Sequence, residues 1–346
     1  MLCLPVPTDR QACWSFFLLL VIMNPGNILC RNVRGLNSRA HQDSVRTLVS
    51  SAWIDIVCLQ ETKMSVLSRA TMLSMLGSDF SHWIDLPAAG ASRGILVAWR
   101  QGLGPATASR VDNYSVSLQF SPTALEPWWL TSVYGPQGDD NKVLFLQELR
   151  NVRSMCHGPW TVLGDFNLIT SVDYNVSLHG RKFTWSNQQD SATLVKLDIV
   201  FCSTEWEQLF PNCLLQSTAS EGSDHCPLLL GLNDVQPAKA RFHFESFWPT
   251  LDGFQETVES AWSSVQATSC PFDTQAKKFK ATVRALQSWS WKKVAHVNRQ
   301  LNLAREVLHQ LEIAQDHLDL SCLELWLRNK LKLHSLTLLP TMYYCA

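Results

Sequence analysis

The chain has 346 residues, 46% of them apolar and 17% charged, a globular composition that excludes a disordered or fibrous protein. Its formal net charge of −1 neither supports nor excludes a nucleic-acid partner, and any contact with phosphates must come from a local patch or a metal. Eleven cysteines without a C-x-x-C pair suit reduced, buried thiols of the cytosol or nucleus, and exclude a disulfide scaffold or a zinc site.

In chain order, residues 16–23 form an apolar run far short of the roughly 20 needed to cross a bilayer, so no membrane contact is expected. Asp9 offsets Arg10 and no small-x-small cleavage site follows, so the run is not read as a secretion signal. Patterned sequence begins just after Met23, a plausible natural start. Residues 1–22 therefore read as an atypical leader outside the fold.

From Asn27 short β-rich runs alternate with helical ones. Strands are predicted over 28–32, 55–60, 94–99, 114–120, 128–134, 182–185, 194–202 and 226–232, and helices over 41–53, 64–76 and 141–155. A further strand opens at Trp160 and ends at Gly164. Asp165 and Asn167, two positions apart, can leave its tip on one face. Mixed strands and helices at this density predict a layered α/β domain over 23–232. A polar linker spans 233–250 with an aromatic patch at Phe242, Phe244, Phe247 and Trp248, and 251–346 reads as helical. One helix is predicted over 254–265. Residues 274–338 contain neither Gly nor Pro, and Val294, Val297, Leu301, Ala304, Leu308 and Leu311 step by three and four. That pattern predicts one long helix whose coiled-coil-like seam serves either self-association or packing on its own domain. Residues 340–346 show no helical pattern.

Asn32, Glu61, Tyr134, Asp165, Asn167, Asp198, Asp224 and His225 all lie at or near predicted strand ends, where a sheet scaffold can gather them. Converging carboxylates would repel by about 4 kcal/mol per close pair at an effective dielectric near 20, so the cluster calls for a cation. Oxygen-rich ligands without thiolates favour Mg²⁺ or Mn²⁺, whose open positions go to water and phosphate. A phosphoester is the expected substrate.

The runs Asn32-Val33-Arg34-Gly35-Leu36-Asn37, Leu59-Gln60-Glu61-Thr62, Val133-Tyr134-Gly135-Pro136, Gly164-Asp165-Phe166-Asn167, Leu197-Asp198 and Ser223-Asp224-His225-Cys226-Pro227 resemble, in order, the endonuclease/exonuclease/phosphatase superfamily with its deoxyribonuclease I-like fold. Gly180-Arg181-Lys182-Phe183-Thr184-Trp185-Ser186-Asn187 is similar to the endonuclease region of plant non-LTR (LINE-type) retrotransposon polyproteins. Residues 242–336 resemble the helical linker before the reverse transcriptase of those polyproteins. The resemblance implies a four-layered α/β sandwich followed by the long-helix region, and a Mg²⁺-dependent phosphodiesterase that nicks DNA to prime reverse transcription in the nucleus or cytoplasm. It implies that Glu61, Asn32 and Asp224 serve the metal and that His225, oriented by Asp198, is the base or phosphate contact. Asp165 would activate water, Asn167 would bond a phosphate oxygen, and Tyr134 would stabilise the phosphorane or the leaving oxygen.

Three departures stand beside the matches. Arg31 replaces the family's Trp before the Asn, which is expected to set a charge behind the metal site. Ile199 replaces an Arg expected to fix the loop or the DNA backbone. The segment between Asn167 and Gly180 is shorter than the family's, which normally carries a helix there. With no reverse transcriptase following, the chain resembles a truncated or decayed copy. Two rival functions are an inactive relic with at most helix-mediated association, and another phosphoesterase of the same fold.

Overall fold

The computed structural model describes residues 26–89, 93–122, 126–169, 176–189, 191–232, 244, 248–293 and 295–344. The chain divides into two compact units, Met1–Thr218 with Ser223–Val235, and Ala219–Gly222 with Gln236–Ala346. The predicted leader and nearly all of the linker, including Phe242 and Phe247, lie outside the described residues, as do residues 170–175 of the shortened segment.

Strands of the first unit are β1 (Ile28–Asn32), β2 (Ile56–Gln60), β3 (His82–Leu86), β4 (Ile95–Trp99), β5 (Ala108–Val111), β6 (Ser115–Phe120), β7 (Trp128–Tyr134), β8 (Trp160–Asp165), β9 (Leu178–His179), β10 (Trp185–Ser186), β11 (Leu194–Val195), β12 (Asp198–Cys202), β13 (Cys213–Ser217) and β14 (Leu228–Leu232). Its helices are α1 (Arg39–Ser51), α2 (Arg69–Leu76), α3 (Asp139–Met155) and α4 (Thr204–Leu209). The strands form a seven-stranded sheet, β3-β4-β2-β1-β14-β13-β9, a five-stranded sheet, β12-β8-β7-β6-β5, and the small pair β10-β11.

Runs such as Ile-Val-Cys-Leu-Gln (β2) and Ile-Leu-Val-Ala-Trp (β4) are buried on both faces, as strands covered from both sides must be. Inward residues Ile28, Cys30, Ile56, Cys58 and Val97 of the larger sheet meet Leu118, Phe120, Trp128, Leu130 and Leu163 of the smaller one. Outward residues Leu29, Val57 and Leu59 pack under Val45 and Val49 of α1 and Met72 and Met75 of α2. On the other outer face Val133, Val162 and Ile199 pack against Phe145 of α3. The order helix, sheet, sheet, helix is the predicted four-layered α/β sandwich.

Boundaries differ where side chains cap or interrupt an element. Helix α1 begins at Arg39 because Ser38 accepts the His41 N–H, and α2 begins only at Arg69, capped by Ser68. The strand predicted over 194–202 divides into β11 and β12, because the Thr184 hydroxyl takes the backbone N–H groups of Leu197 and Asp198 (3.0 and 2.9 Å) that a ladder would use. Strand 182–185 shrinks to β10. Strands β3, β5, β9 and β13 and helix α4 have no counterpart in the sequence reading.

The second unit contains α5 (Phe254–Ser263), α6 (Pro271–Lys293), α7 (Ala295–Gln315) and α8 (Cys322–Tyr344). The single helix expected over 274–338 is thus three helices. A break at 316–321 needs neither Gly nor Pro: the Asp316 and His317 N–H groups bond back to Ile313 and Ala314, closing α7. Ser321 then opens α8 through a reciprocal capping box, its N–H and hydroxyl on Glu324 (2.8 and 2.7 Å) and the Glu324 N–H on its own oxygen (3.4 Å). Within the unit α7 packs on α8 and buries Leu301, Ala304 and Leu308 of the predicted seam, together with Leu325. Val294 and the Val297 side chain lie outside the described residues. Helix α8 continues through Pro340 to Tyr344, although 340–346 carries no helical pattern. No helix among the described residues is long and apolar enough to cross a membrane.

Candidate active site

Parallel pairing aligns the ends of β1 and β2 (Asn32 opposite Gln60) and of β7 and β8 (Tyr134 opposite Asp165), while antiparallel β12 starts opposite the end of β8 (Asp198 opposite Asp165). All eight predicted residues therefore lie at one edge of the two sheets or in the loops beyond it. The hairpin β10-β11 completes the rim. Its Trp185 bridges to His225, with the Cys226 N–H on Thr184 O (2.8 Å) and the Ser186 N–H on Asp224 O (3.1 Å).

One hydrogen-bonded network links six of the eight. Asn32 Oδ1 accepts the Arg34 N–H (3.0 Å), which leaves Nδ2 to donate to Asp165 Oδ2 (2.8 Å). Asp165 Oδ1 accepts the Asn167 N–H (3.0 Å), and Asn167 Nδ2 donates to Gly135 O (2.8 Å). His225 Nδ1 lies 2.8 Å from Asp198 Oδ2 and carries the shared proton toward it, so that Nε2 faces Asp165 Oδ2 (3.8 Å) and Asp224 Oδ1 (3.9 Å). The Ser223 hydroxyl accepts the His225 N–H (3.1 Å) and donates to Asn32 O (2.9 Å), tying the histidine loop to β1. Asp224 Oδ2 receives the Arg34 guanidinium and the Trp185 indole N–H, both at 2.8 Å.

Glu61 and Tyr134 form the adjoining part. Glu61 pairs with Lys63 Nζ at 2.8 Å. Burial and the Glu61 carboxylate, to which the phenol is hydrogen bonded, hold the Tyr134 proton well above the ordinary range, so it stays a donor. Arg34, Glu61, Lys63 and Asn167 all adopt left-handed backbone, with φ of 51°, 55°, 54° and 48°. Strained non-glycine residues gathered at one strand-end rim single it out as the candidate site.

Asp165 and Asp198 are each 1% exposed, and one ligand atom from each lies within 4.8 Å of the others and of a His225 nitrogen. Burial, then the Asp198 charge, raises the Asp165 pKa against the opposing pull of His225 and its amide partners. Burial alone would lower the His225 pKa, but the Asp198, Asp165 and Asp224 carboxylates outweigh it and raise it. Asp198 Oδ1 and Asp224 Oδ1 are buried without a hydrogen-bond partner. Orphaned carboxylate oxygens beside a packed anionic cluster fit a divalent cation, and oxygen donors with one imidazole and no thiolate suit a hard ion. The expected metal residues Glu61, Asn32 and Asp224 stand on the same strand-end rim, where Asn32 takes the Arg34 N–H on Oδ1 and donates Nδ2 to Asp165.

The Endonuclease/Exonuclease/phosphatase family matches the chain over residues 27–225. The chain belongs to that family. No curated protein sequence matches it. Among solved structures, an AP endonuclease from Archaeoglobus fulgidus is similar at 15% identity and a TM-score of 0.46, covering 60% of this chain and 99% of its own. A truncated Caenorhabditis elegans TDP2 is similar at 15% and 0.44, covering 60% and 96%. The endonuclease domain of TRAS1, a telomere-specific non-LTR retrotransposon, is similar at 14% and 0.42, covering 62% and 100%.

Two expected departures from the family acquire a different meaning in the structure. Arg31 does not stand behind the site: strand alternation turns it to the helix-facing side of β1, where Nη1 donates to Ser44 Oγ of α1 at 3.0 Å. Ile199, next to Asp198, likewise faces the α3 layer and is fully buried there, where an apolar residue fits. Site roles of Arg34, Lys63 and Ser223 escaped the sequence reading because loop backbone places them. Thr184 and Trp185 lay inside the quoted 180–187 run, which was the available signal.

Proposed function

We propose that this endonuclease/exonuclease/phosphatase chain is a Mg²⁺- or Mn²⁺-dependent phosphodiesterase that nicks DNA, of the kind carried by plant non-LTR retroelements. The observation that carries the reading is the buried Asp198-His225-Asp165 cluster with Asp224 beside it, built from family motifs in family order, in which Asp198 and Asp224 each leave one carboxylate oxygen orphaned. The Gly180–Asn187 run, which forms the hairpin holding Asp224 and His225, supports the retroelement subclass over a lipid or sugar phosphatase.

A bound divalent cation would supply charge neutralisation of the scissile phosphate, held by Glu61 and Asp224 with Asn32 at its edge. Asp165, fixed by amides from Asn32 and Asn167, accepts the proton of the attacking water. Asp198 holds the imidazole of His225 through Nδ1, so that Nε2 contacts the phosphate. The Asn167 amide bonds a phosphate oxygen, and the neutral Tyr134 phenol donates to the leaving oxygen. Loss of such a group lowers the rate by about 10²–10⁴-fold. His225→Ala is therefore expected to reduce Mg²⁺-dependent nicking of supercoiled plasmid by that factor. Undiminished nicking by His225→Ala refutes the assignment. The shortened segment between Asn167 and Gly180 favours the rival of an inactive relic, which predicts no nicking by the parent chain.

A further inference from the structure

We propose that the outward face of α6 binds single-stranded nucleic acid, a surface separate from the candidate active site. The helix carries six basic residues, Lys277, Lys278, Lys280, Arg284, Lys292 and Lys293, against the single acid Asp273, in a chain whose net charge is −1. Its inward face is fixed by packing. Leu286 and Trp289 are buried, and the Trp289 ring meets Trp248 and Phe254 edge-on at 5.7 Å.

At 3.6 residues per turn, Lys280, Trp291, Arg284 and Lys277 fall within an arc of about 60° on the side of the helix away from Leu286 and Trp289, with Phe272 at its margin in the first turn. Phe272 is 86% and Trp291 75% exposed, values that leave ring faces open to a partner, whereas the Phe279 ring is set edge-on against Trp262 of α5 at 5.4 Å. Lys277 is paired with Asp273 at 2.8 Å, but no carboxylate among the described residues pairs with Lys280, Arg284, Lys292 or Lys293.

Charge complementarity names a polyanion, and the exposed aromatics narrow it. Base stacking needs unpaired bases, which a single strand offers and a duplex hides, while lysines and arginine between the rings follow the backbone. Lys277 to Trp291 spans about 21 Å of helix, enough for several nucleotides. The choice of a nucleic acid over another polyanion draws on the family reading of the first unit, but the surface itself does not involve the active site.

Binding of a fluorescein-labelled mixed-sequence 20-nucleotide DNA to the full chain in EDTA, followed by anisotropy over a salt series, tests the proposal. K277E/K280E/R284E is expected to raise Kd at least tenfold and to flatten the dependence of log K on log salt by about 2, since each lost single-strand phosphate contact removes about 0.7. W291A is expected to raise Kd about fivefold for one stacked base, and a matched duplex to bind more weakly than the single strand. All four side chains are exposed, so an unchanged thermal melt certifies the fold, and K277R/K280R/R284K restores affinity. Unchanged single-strand affinity in either the charge-reversed chain or W291A overturns the proposal, as does equal affinity for the duplex. His225→Ala keeps full single-strand affinity whatever becomes of nicking, so this surface and the nuclease reading fail separately.

Discussion

At His225 three carboxylates face one buried imidazole, and the balance has a measurable sign. Folded His225 keeps its proton to about pH 9 rather than 6.5, because Asp198 and its neighbours outweigh the cost of burial. Asp165 also binds its proton more tightly when folded, because burial and Asp198 disfavour its charge. Where the folded state holds more protons than the unfolded one, stability falls as pH rises, by up to about 1.4 kcal/mol per pH unit per proton. The melting temperature in EDTA is therefore expected to fall between pH 6.5 and pH 9, and Asp198→Asn to flatten that slope. A melt independent of pH across this window in the parent chain contradicts the charge arrangement.

At the scale of elements, the strand tips depend on close backbone approach. Gly164 sits in β8 with φ of 148°, and a Cβ there would lie 2.0 Å from Val133 O of the neighbouring strand. Gly164→Ala is expected to cost several kcal/mol and leave no cooperative melt, by backbone strain and collision. Gly102→Ala, with nothing within 4 Å of its Cβ, serves as the near-neutral control. In the second unit Ser321→Ala removes the capping box of α8 and is expected to cost about 1 kcal/mol, read as a lower midpoint in a urea melt.

These elements also show what the residues reveal and what they conceal. Strands β2 and β4 are legible because burial on both faces demands near-continuous apolar runs, and β6 and β7 because β-branched and aromatic residues recur along them. The site residues are legible because they cluster at the ends of such runs. Helices α7 and α8 were merged because a Ser-x-x-Glu box divides them without the usual Gly or Pro. The two-residue strand β9 carries too little pattern to read, and the short β10 and β11 are legible only as parts of longer runs. The sides taken by Arg31 and Ile199 follow from the alternation of strand faces, which family position alone does not carry. Arg34 and Lys63 reach the site through left-handed loop backbone, which residue type does not announce.

For the whole molecule, metal binding and folding should be linked. The orphaned oxygen of Asp224 gains a metal partner only in the native state, and a ligand at 100 times its Kd stabilises that state by about 2.7 kcal/mol. Mg²⁺ is expected to raise the melting temperature by several degrees, and Asp224→Asn to blunt the rise. The central claim, that this edge of the sheets cuts a phosphodiester with a divalent metal, is tested most directly by incubating the full chain with supercoiled plasmid. Conversion to the open circular form with Mg²⁺ and its absence with EDTA is the predicted result. No conversion with either Mg²⁺ or Mn²⁺, or equal conversion in EDTA, would contradict it.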